Sequence, residues 1–277
     1  MFRRGFCFAI LSVFLLSWSV SASCAGAQGS TPQTSATDEV NVGVSAYQAG
    51  HYDEAIRHFR SALQIEPGLL LAKTYLGTAL AQDVEPGNTT PGNVKIADEA
   101  IGLFNQALAI DPHDANSIKN VGVLYFNTQR LDDARTWMKK AIAEDAQDAD
   151  SAYTIGVIDW TEAQANALKA LQTAGIQDDG MGNAAAPSDL LAGLAKQNGP
   201  LVDEALKYLN QAVTIRADYD DAMTYLNLVY RRKADVDFDK PTVRDEDIAK
   251  ATEWQQKAVD TRKAAEQKGS SATPAQH

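Results

Sequence analysis

One short sequence pattern recurs along the chain and restricts the folds open to it more than any other feature. Its clearest copy runs from Gly50, a turn residue, to Pro67. Within that copy Ala55, Phe59 and Ala62 are separated by helical intervals, with charged residues on the other side. This arrangement is typical of an amphipathic helix. A unit this short cannot bury its apolar face alone, so a chain that repeats it is expected to stack the copies.

Later copies keep the spacing of the first. The second copy has Ala100, Phe104, Ala107 and Pro112. Three further copies begin at residues 134, 205 and 251 and lack the closing proline; the last two match more loosely. Their aromatic residues, three positions after the alanine, are Trp137, Tyr208 and Trp254. The chain is therefore predicted to contain about five repeats.

A second recurring element is a glycine that follows an apolar residue in the helix before each copy. The glycines are Gly43, Gly77, Gly122 and Gly156, and Asn227 stands in the fifth place. Glycine inside a helix costs about 1 kcal/mol relative to alanine. Its recurrence therefore indicates a close approach of two helices, which a larger side chain would hold apart.

The two elements together resemble the tetratricopeptide repeat family, in which Leu-Gly is followed by a small or aromatic residue and then by Ala, Phe and Pro. The resemblance implies an all-α fold. We expect an α-solenoid of about five helical hairpins over residues 38–268, with insertions and a C-terminal capping helix. Segment 220–235 also resembles secreted bacterial members of the family.

Three of the five units carry extra residues between their two helices, which should emerge on one rim of the solenoid. The first insertion, 83–93, is predicted to be a loop whose Asn93 caps the next helix. The second, 161–200, is predicted to extend the preceding helix and then to form a loop and a short helix ended by Pro200. The third, 233–247, is predicted to be an acidic loop.

Residues 1–27 have the composition of a secretory signal peptide. A basic start precedes an apolar stretch, and small residues at 25–27 supply a cleavage site. The alternatives are an uncleaved anchor and a lipoprotein acylated at Cys24, although Ser21 stands where such signals usually carry a branched apolar residue. A periplasmic or secreted protein is therefore predicted, with no membrane span after cleavage.

The predicted mature chain has few reactive groups. Both cysteines, Cys7 and Cys24, lie in the signal segment, so cleavage would leave no thiol and no disulfide. Residues 28–37 are predicted to be a polar linker and residues 269–277 a disordered tail.

The net charge of the chain disfavours some classes of binding partner. The formal charge is −11, and the signal segment carries two of the 25 basic residues and none of the 36 acidic ones. Its removal would make the formal charge −13. A surface this acidic disfavours nucleic acid and anionic membranes as partners.

Catalytic and metal-binding patterns are weak. Of the four histidines only His58 is predicted on a helix, and no nucleophile elbow, phosphate loop or His-Glu-x-x-His is present. The alternating aspartates of segment 235–239 resemble a calcium loop, but Lys240 stands where such a loop needs glycine and Pro241 follows it. The sequence therefore predicts no enzyme, no metal and no cofactor.

Candidate binding residues follow from position within each first helix, because that helix lines the concave face in this family. The predicted groove residues are Tyr47, Lys119, Phe126, Asn127, Tyr153, Trp160 and Arg231. The alternative is that the aromatic members fill the core between repeats. Contact is favoured for Trp160, because it lies where its helix enters the long insertion.

The predicted function is a scaffold or adaptor in the cell envelope that binds a protein or peptide partner in this groove. Two alternatives stay open. A small ligand or glycan could occupy a pocket at Trp160 closed by Leu190 and Leu194, or the protein could self-associate in a structural role.

Overall fold

The computed structural model describes the backbone of residues 35–271 and the side chains of residues 35–267. The predicted signal peptide, most of the predicted linker and the end of the predicted tail lie outside these residues. The described chain consists of α-helices without strands. The helices are α1 (Ala36–Gln48), α2 (Tyr52–Ile65), α3 (Leu70–Gln82), α4 (Pro91–Leu108), α5 (Ala115–Asn127), α6 (Leu131–Glu144), α7 (Ala149–Thr173), α8 (Ser188–Ile215), α9 (Asp220–Val236) and α10 (Pro241–Ser271).

The helices pair into five hairpins, from α1 with α2 to α9 with α10, so the all-α solenoid is confirmed. The first helices of successive hairpins are neighbours: α1 packs beside α3, α3 beside α5, and α7 beside α9. The exception is the pair α5 and α7, which are not closely packed. None of the described helices is both long enough and apolar enough to cross a membrane.

The ends of the described solenoid differ slightly from the predicted bounds. Ser35 caps α1: its hydroxyl accepts from the Asp38 backbone N–H at 3.1 Å, and the Asp38 carboxylate accepts from the Ser35 backbone N–H at 3.1 Å. This reciprocal pair satisfies donors at the helix start. The solenoid therefore begins three residues earlier than predicted, and α10 continues to Ser271.

The repeat glycines provide the close helix approach that their spacing predicts. A Cβ atom at Gly43 would lie 2.6 Å from the Phe59 ring, and one at Gly156 would lie 2.4 Å from Leu209 Cγ. The fifth hairpin uses a different contact. Asn227 Nδ2 donates to the backbone carbonyl of Ala251 at 2.6 Å, so a hydrogen bond joins the two helices there.

Two main apolar clusters form the core and meet within the third hairpin. The N-terminal cluster extends from Ala36 to Leu124 and includes the buried rings of Phe59 and Phe104. The C-terminal cluster extends from Met138 to Val229, with Trp254 packed against it. Residues of the second insertion form a small third cluster around Leu171 and Leu194.

The first insertion is a loop over residues 83–90, and α4 begins at Pro91 with Thr90 as its N-cap. The prediction that Asn93 caps this helix is wrong. Asn93 is buried inside the first turn, where its amide accepts from the Glu85 backbone N–H and donates to the carbonyls of Glu85 and Asn88. Its side chain therefore holds the loop rather than the helix end.

The second insertion extends α7 to Thr173, as predicted. The predicted break at Pro200 is wrong, because α8 continues through this proline. Two side-chain contacts across the hairpin support the helix at this point. The buried Asn198 donates to the Ala163 carbonyl at 2.9 Å and accepts from Asn166 at 3.0 Å.

The third insertion is mostly helical, so the predicted loop over 233–247 is wrong. α9 runs to Val236, and residues 237–240 alone connect it to α10. Helix continues because Ala234 and Asp235 are buried against neighbouring elements. One of these neighbours is the loop of the second insertion: Arg232 contacts Asp178 at 2.8 Å, and Asn183 donates to Asp235 at 2.9 Å.

A candidate binding surface on the first helices

Four aromatic rings form a continuous row across α7 and α9. Tyr225 of α9 lies between two residues of α7, with ring centroids 5.6 Å from Tyr153 and 5.2 Å from Trp160. Tyr219, the N-cap of α9, extends the row with its centroid 4.9 Å from Tyr153. Trp160, Tyr225 and Tyr153 are each partly exposed. We call these four residues the aromatic row.

A charged cluster adjoins the row at Tyr219. Its centre is Asp150, which accepts from Arg216 at 2.7 Å, from the Tyr219 hydroxyl at 3.2 Å and from Lys119 at 3.3 Å. Arg216 also lies over the Tyr219 ring, 3.4 Å from its centroid. Lys119 reaches across from α5, so this ion pair joins two first helices that are not closely packed.

Burial and charge set the proton affinities of these groups. Burial would raise the pKa of Asp150, but Lys119 and Arg216 outweigh it and hold the pKa below its usual value. Burial raises the pKa of Tyr153 and Tyr225, and the carboxylate of Asp221 adds to both shifts. The side chains of the aromatic row are therefore uncharged at physiological pH, and the carboxylate of Asp221 lies near them.

A cavity of about 380 Å³ lies beside the charged cluster, between the third and fourth hairpins. Its lining includes Asn116, Lys119, Asp148, Asp150 and Arg216. The two cations are paired with the two aspartates. Because Asp145 also lines it, the cavity has one more carboxylate than it has cations, and neither of its two cations is free to bind an anion.

An ion-pair clamp fixes α7 next to Trp160. Arg135 of α6 donates to Asp159 at 2.7 Å and to Glu162 at 2.6 Å. Asp159 is fully buried, and burial raises its pKa to about 6 despite the opposing effect of Arg135. The clamp holds the helix segment that carries Trp160.

The structure joins three of the predicted groove residues and separates the others. Tyr153 and Trp160 belong to the aromatic row, and Lys119 reaches it through Asp150. Tyr47 packs elsewhere: its ring lies 5.3 Å from that of Tyr52, and its hydroxyl accepts from Gln82. Phe126 is half-buried on α5.

Two predicted groove residues make contacts with insertions. The backbone carbonyl of Asn127 accepts from the Gly87 N–H at 2.8 Å, which ties the first insertion to the next hairpin. Arg231 donates to the carbonyl of Gly180 at 3.1 Å and contacts Met181 Sδ. Arg231 therefore holds the second insertion through one of its guanidinium nitrogens.

The sequence interpretation missed Tyr225, Tyr219 and Arg216. It considered residues one and four positions after the repeat glycine and a few flanking residues such as Lys119 and Tyr153, whereas Tyr225 lies two positions before Asn227. On a helix these places are close enough to share a face. The signal was therefore present in the sequence, although the tertiary contact that aligns Tyr225 with Trp160 was not.

The structure does not assemble the pocket on which the small-ligand alternative depended. Leu194 is buried in the small cluster of the second insertion, with Leu190 packed against it. Trp160 belongs to the C-terminal cluster instead.

Acidic residues of the third insertion are paired with cations. Asp235 lies 2.9 Å from Arg232, and Asp237 accepts from Lys240 at 2.8 Å and also from Lys233. Within residues 35–267, no group of three or more histidine, cysteine, aspartate or glutamate side chains is arranged to hold a metal ion.

Sequence and structure comparisons agree with this architecture. Tetratricopeptide repeat models match residues 40–69 and 97–154. The crystal structure of MamA superimposes with a TM-score of 0.53 at 16% identity, over 82% of this chain and 97% of the other. Residues 40–69 and 97–154 are therefore tetratricopeptide repeats, and the described fold is a solenoid of such helical hairpins.

Two further solved structures share the fold at similarly low identity. A MamA fragment from Desulfovibrio magneticus RS-1 gives a TM-score of 0.51 at 15% identity, over 80% of this chain and 95% of the other. YrrB, described as a TPR protein with an unusual peptide-binding site, gives 0.52 at 14% identity, over 84% and 94%. No curated protein sequence matches the chain.

Proposed function

We propose that this tetratricopeptide repeat protein is a scaffold that binds an extended peptide segment of a partner protein along its first helices. The observation that carries the proposal is the aromatic row, in which three partly exposed rings lie on adjoining first helices. Aromatic residues are enriched at binding hot spots, because they bury a large area with few rotatable bonds. YrrB offers a precedent for peptide binding on this fold.

We further propose that the protein acts outside the cytoplasm, in the periplasm or as a secreted protein. Residues 1–27 support this, since they combine a basic start, an apolar stretch and a small-residue cleavage site. The test is N-terminal sequencing after cell fractionation. A mature chain that begins at Gln28 in the extracytoplasmic fraction is expected, and an uncleaved chain in the cytoplasm would contradict the proposal.

The binding proposal is tested by selecting phage-displayed random dodecapeptides on the purified protein. Selected peptides should lose about tenfold or more in affinity for Trp160→Ala and for Tyr153→Leu. They should retain affinity for Trp254→Phe, a control that changes a tryptophan on a second helix. Peptides that bind all variants equally would show that the aromatic row is not the binding surface.

A further inference from the structure

Three rings of the aromatic row, those of Tyr153, Tyr225 and Trp160, are partly exposed and have no internal cation of the described chain over them. Six other described rings, including Tyr219 at the end of the row, have a lysine or arginine close to the ring face. The pairs are Tyr125 with Arg130, Trp137 with Lys140, Tyr208 with Lys207, Tyr219 with Arg216, Tyr230 with Lys250, and Trp254 with Lys257. Among the described residues, no such contact covers Tyr153, Tyr225 or Trp160.

Nearby cations of the protein itself are committed to other partners. Lys119 pairs with Asp148 and Asp150, at 2.7 and 3.3 Å. Arg216 pairs with Asp150 at 2.7 Å, and Arg231 donates to the Gly180 carbonyl. These side chains would have to break existing contacts to cover the three rings.

Negative charge lies near two of these rings, since Asp221 is one helical turn before Tyr225 on α9. The side chain of Asp221 is 65% exposed, and the nearest Arg262 nitrogen is 3.8 Å away. The same Arg262 makes a closer contact, 2.7 Å, with Asp220. Asp221 is close enough to the row to raise the pKa of Tyr153 and Tyr225. A carboxylate beside partly exposed rings that have no internal cation is complementary to a cation.

We infer that the peptide recognised by this surface is basic, and that a lysine or arginine side chain of the partner lies against Trp160, Tyr225 and Tyr153 with its charge facing Asp221. This inference rests on the proposed peptide-binding function and adds the chemical class of the partner. The acidic chain supports it, because a formal charge of −11 attracts basic segments over long range.

The test uses four acetylated dodecapeptides of serine and alanine that differ at three central positions. These positions are all arginine, all glutamate, all leucine or all proline. Binding is measured by fluorescence anisotropy to the full chain at low and high salt. The arginine peptide should bind about tenfold or more tightly than the other three, and its affinity should fall as salt increases.

Three variants separate ring contact from general charge attraction. Trp160→Leu should weaken the arginine peptide about tenfold, and Trp160→Phe should weaken it less, because phenylalanine keeps a smaller aromatic face. Asp221→Asn should weaken it about threefold at low salt only. Trp254→Phe is the matched control and should leave the affinity unchanged. Circular dichroism and thermal unfolding identify any variant that fails to fold.

The possible outcomes distinguish this inference from the proposed function. If the leucine, proline or glutamate peptide binds most tightly and loses affinity in Trp160→Leu, peptide binding stands and the basic specificity is wrong. If no peptide binds, or if Trp160→Leu affects none, both are contradicted. Preference for arginine that is lost in Trp160→Leu and kept in Trp254→Phe supports both.

Discussion

At the scale of single residues, the solenoid depends on positions where a hydrogen atom is the only side chain that fits. Gly43, Gly77, Gly122 and Gly156 each face an apolar side chain of the second helix at 2.4–3.1 Å from where a Cβ would lie. Real Cβ atoms essentially never show contacts under 3.0 Å, so at Gly43 and Gly156 the two helices are closer than alanine would allow without a shift, whereas Gly77 and Gly122 are tight.

Replacing Gly156 by alanine should therefore destabilise the protein. The new Cβ would lie 2.4 Å from Leu209 Cγ, and overpacking of this kind typically costs about 1–3 kcal/mol. Urea unfolding measures the change. Gly102→Ala is the matched control, because a Cβ there meets nothing within 4 Å, and it should stabilise the helix by up to about 1 kcal/mol. Equal effects of the two substitutions would contradict the packing role of Gly156.

Residue spacing predicted these glycine contacts because both partners follow the repeat. Asn227 illustrates what repetition cannot predict. The sequence shows only that it replaces glycine, whereas its hydrogen bond to the Ala251 carbonyl depends on the geometry of a single hairpin. The same applies to Arg231, whose predicted place in the groove did not reveal that it contacts the loop of the second insertion.

At the scale of elements, side-chain contacts decided where helices end. Periodicity predicted the extension of α7, but turn residues misleadingly predicted a break at Pro200 and a loop over 233–247. Proline removes one backbone hydrogen bond, and here the contacts of Asn198 with α7 support the helix across that gap. Local sequence does not contain these contacts.

The loop of the second insertion gives a prediction at this scale. Asn183 holds it with hydrogen bonds to Asp178, Asp179 and Asp235, all at 2.9–3.0 Å. Asn183→Ala should therefore increase hydrogen exchange across residues 176–187 by about tenfold or more, with unchanged helix content. Exchange measured by mass spectrometry checks this.

Gln177→Ala, which changes an exposed side chain of the same loop, is the control for that experiment. Hydrogen exchange of residues 176–187 in this variant should equal that in the unmodified protein. An Asn183 variant whose loop exchanges as slowly as the control would show that other contacts hold the loop in place.

At the scale of the whole molecule, the core is divided. The N-terminal and C-terminal clusters meet in the third hairpin, where α5 and α7 are not closely packed and ion pairs of Lys119 and Arg135 connect neighbouring hairpins. In repeat proteins each unit is stabilised mainly by its neighbours. At this junction α6 and α7 pack together, but no close packing between the first helices α5 and α7 adds to that contact, so we expect the two parts to unfold separately.

Unfolding should accordingly occur in two steps. Trp137 packs against the N-terminal cluster and Trp254 against the C-terminal one. Variants of residues 28–277 that lack Trp160 and keep only one of these two tryptophans therefore report on each part. Their urea midpoints are expected to differ by about 0.5 M or more. Superimposable fluorescence and circular dichroism curves would indicate a single cooperative transition and contradict the prediction.

The contact between the second and third insertions also has a mechanical consequence. If the chain were pulled from its two ends, hairpins joined only by neighbour packing could peel away one after another. The bonds of Asp178 and Asn183 to α9 connect segments more than 50 residues apart in sequence. Because of these bonds, the fourth and fifth hairpins should bear the pulling force together. The C-terminal part should therefore unfold in one step that releases more chain than the unfolding of a single repeat.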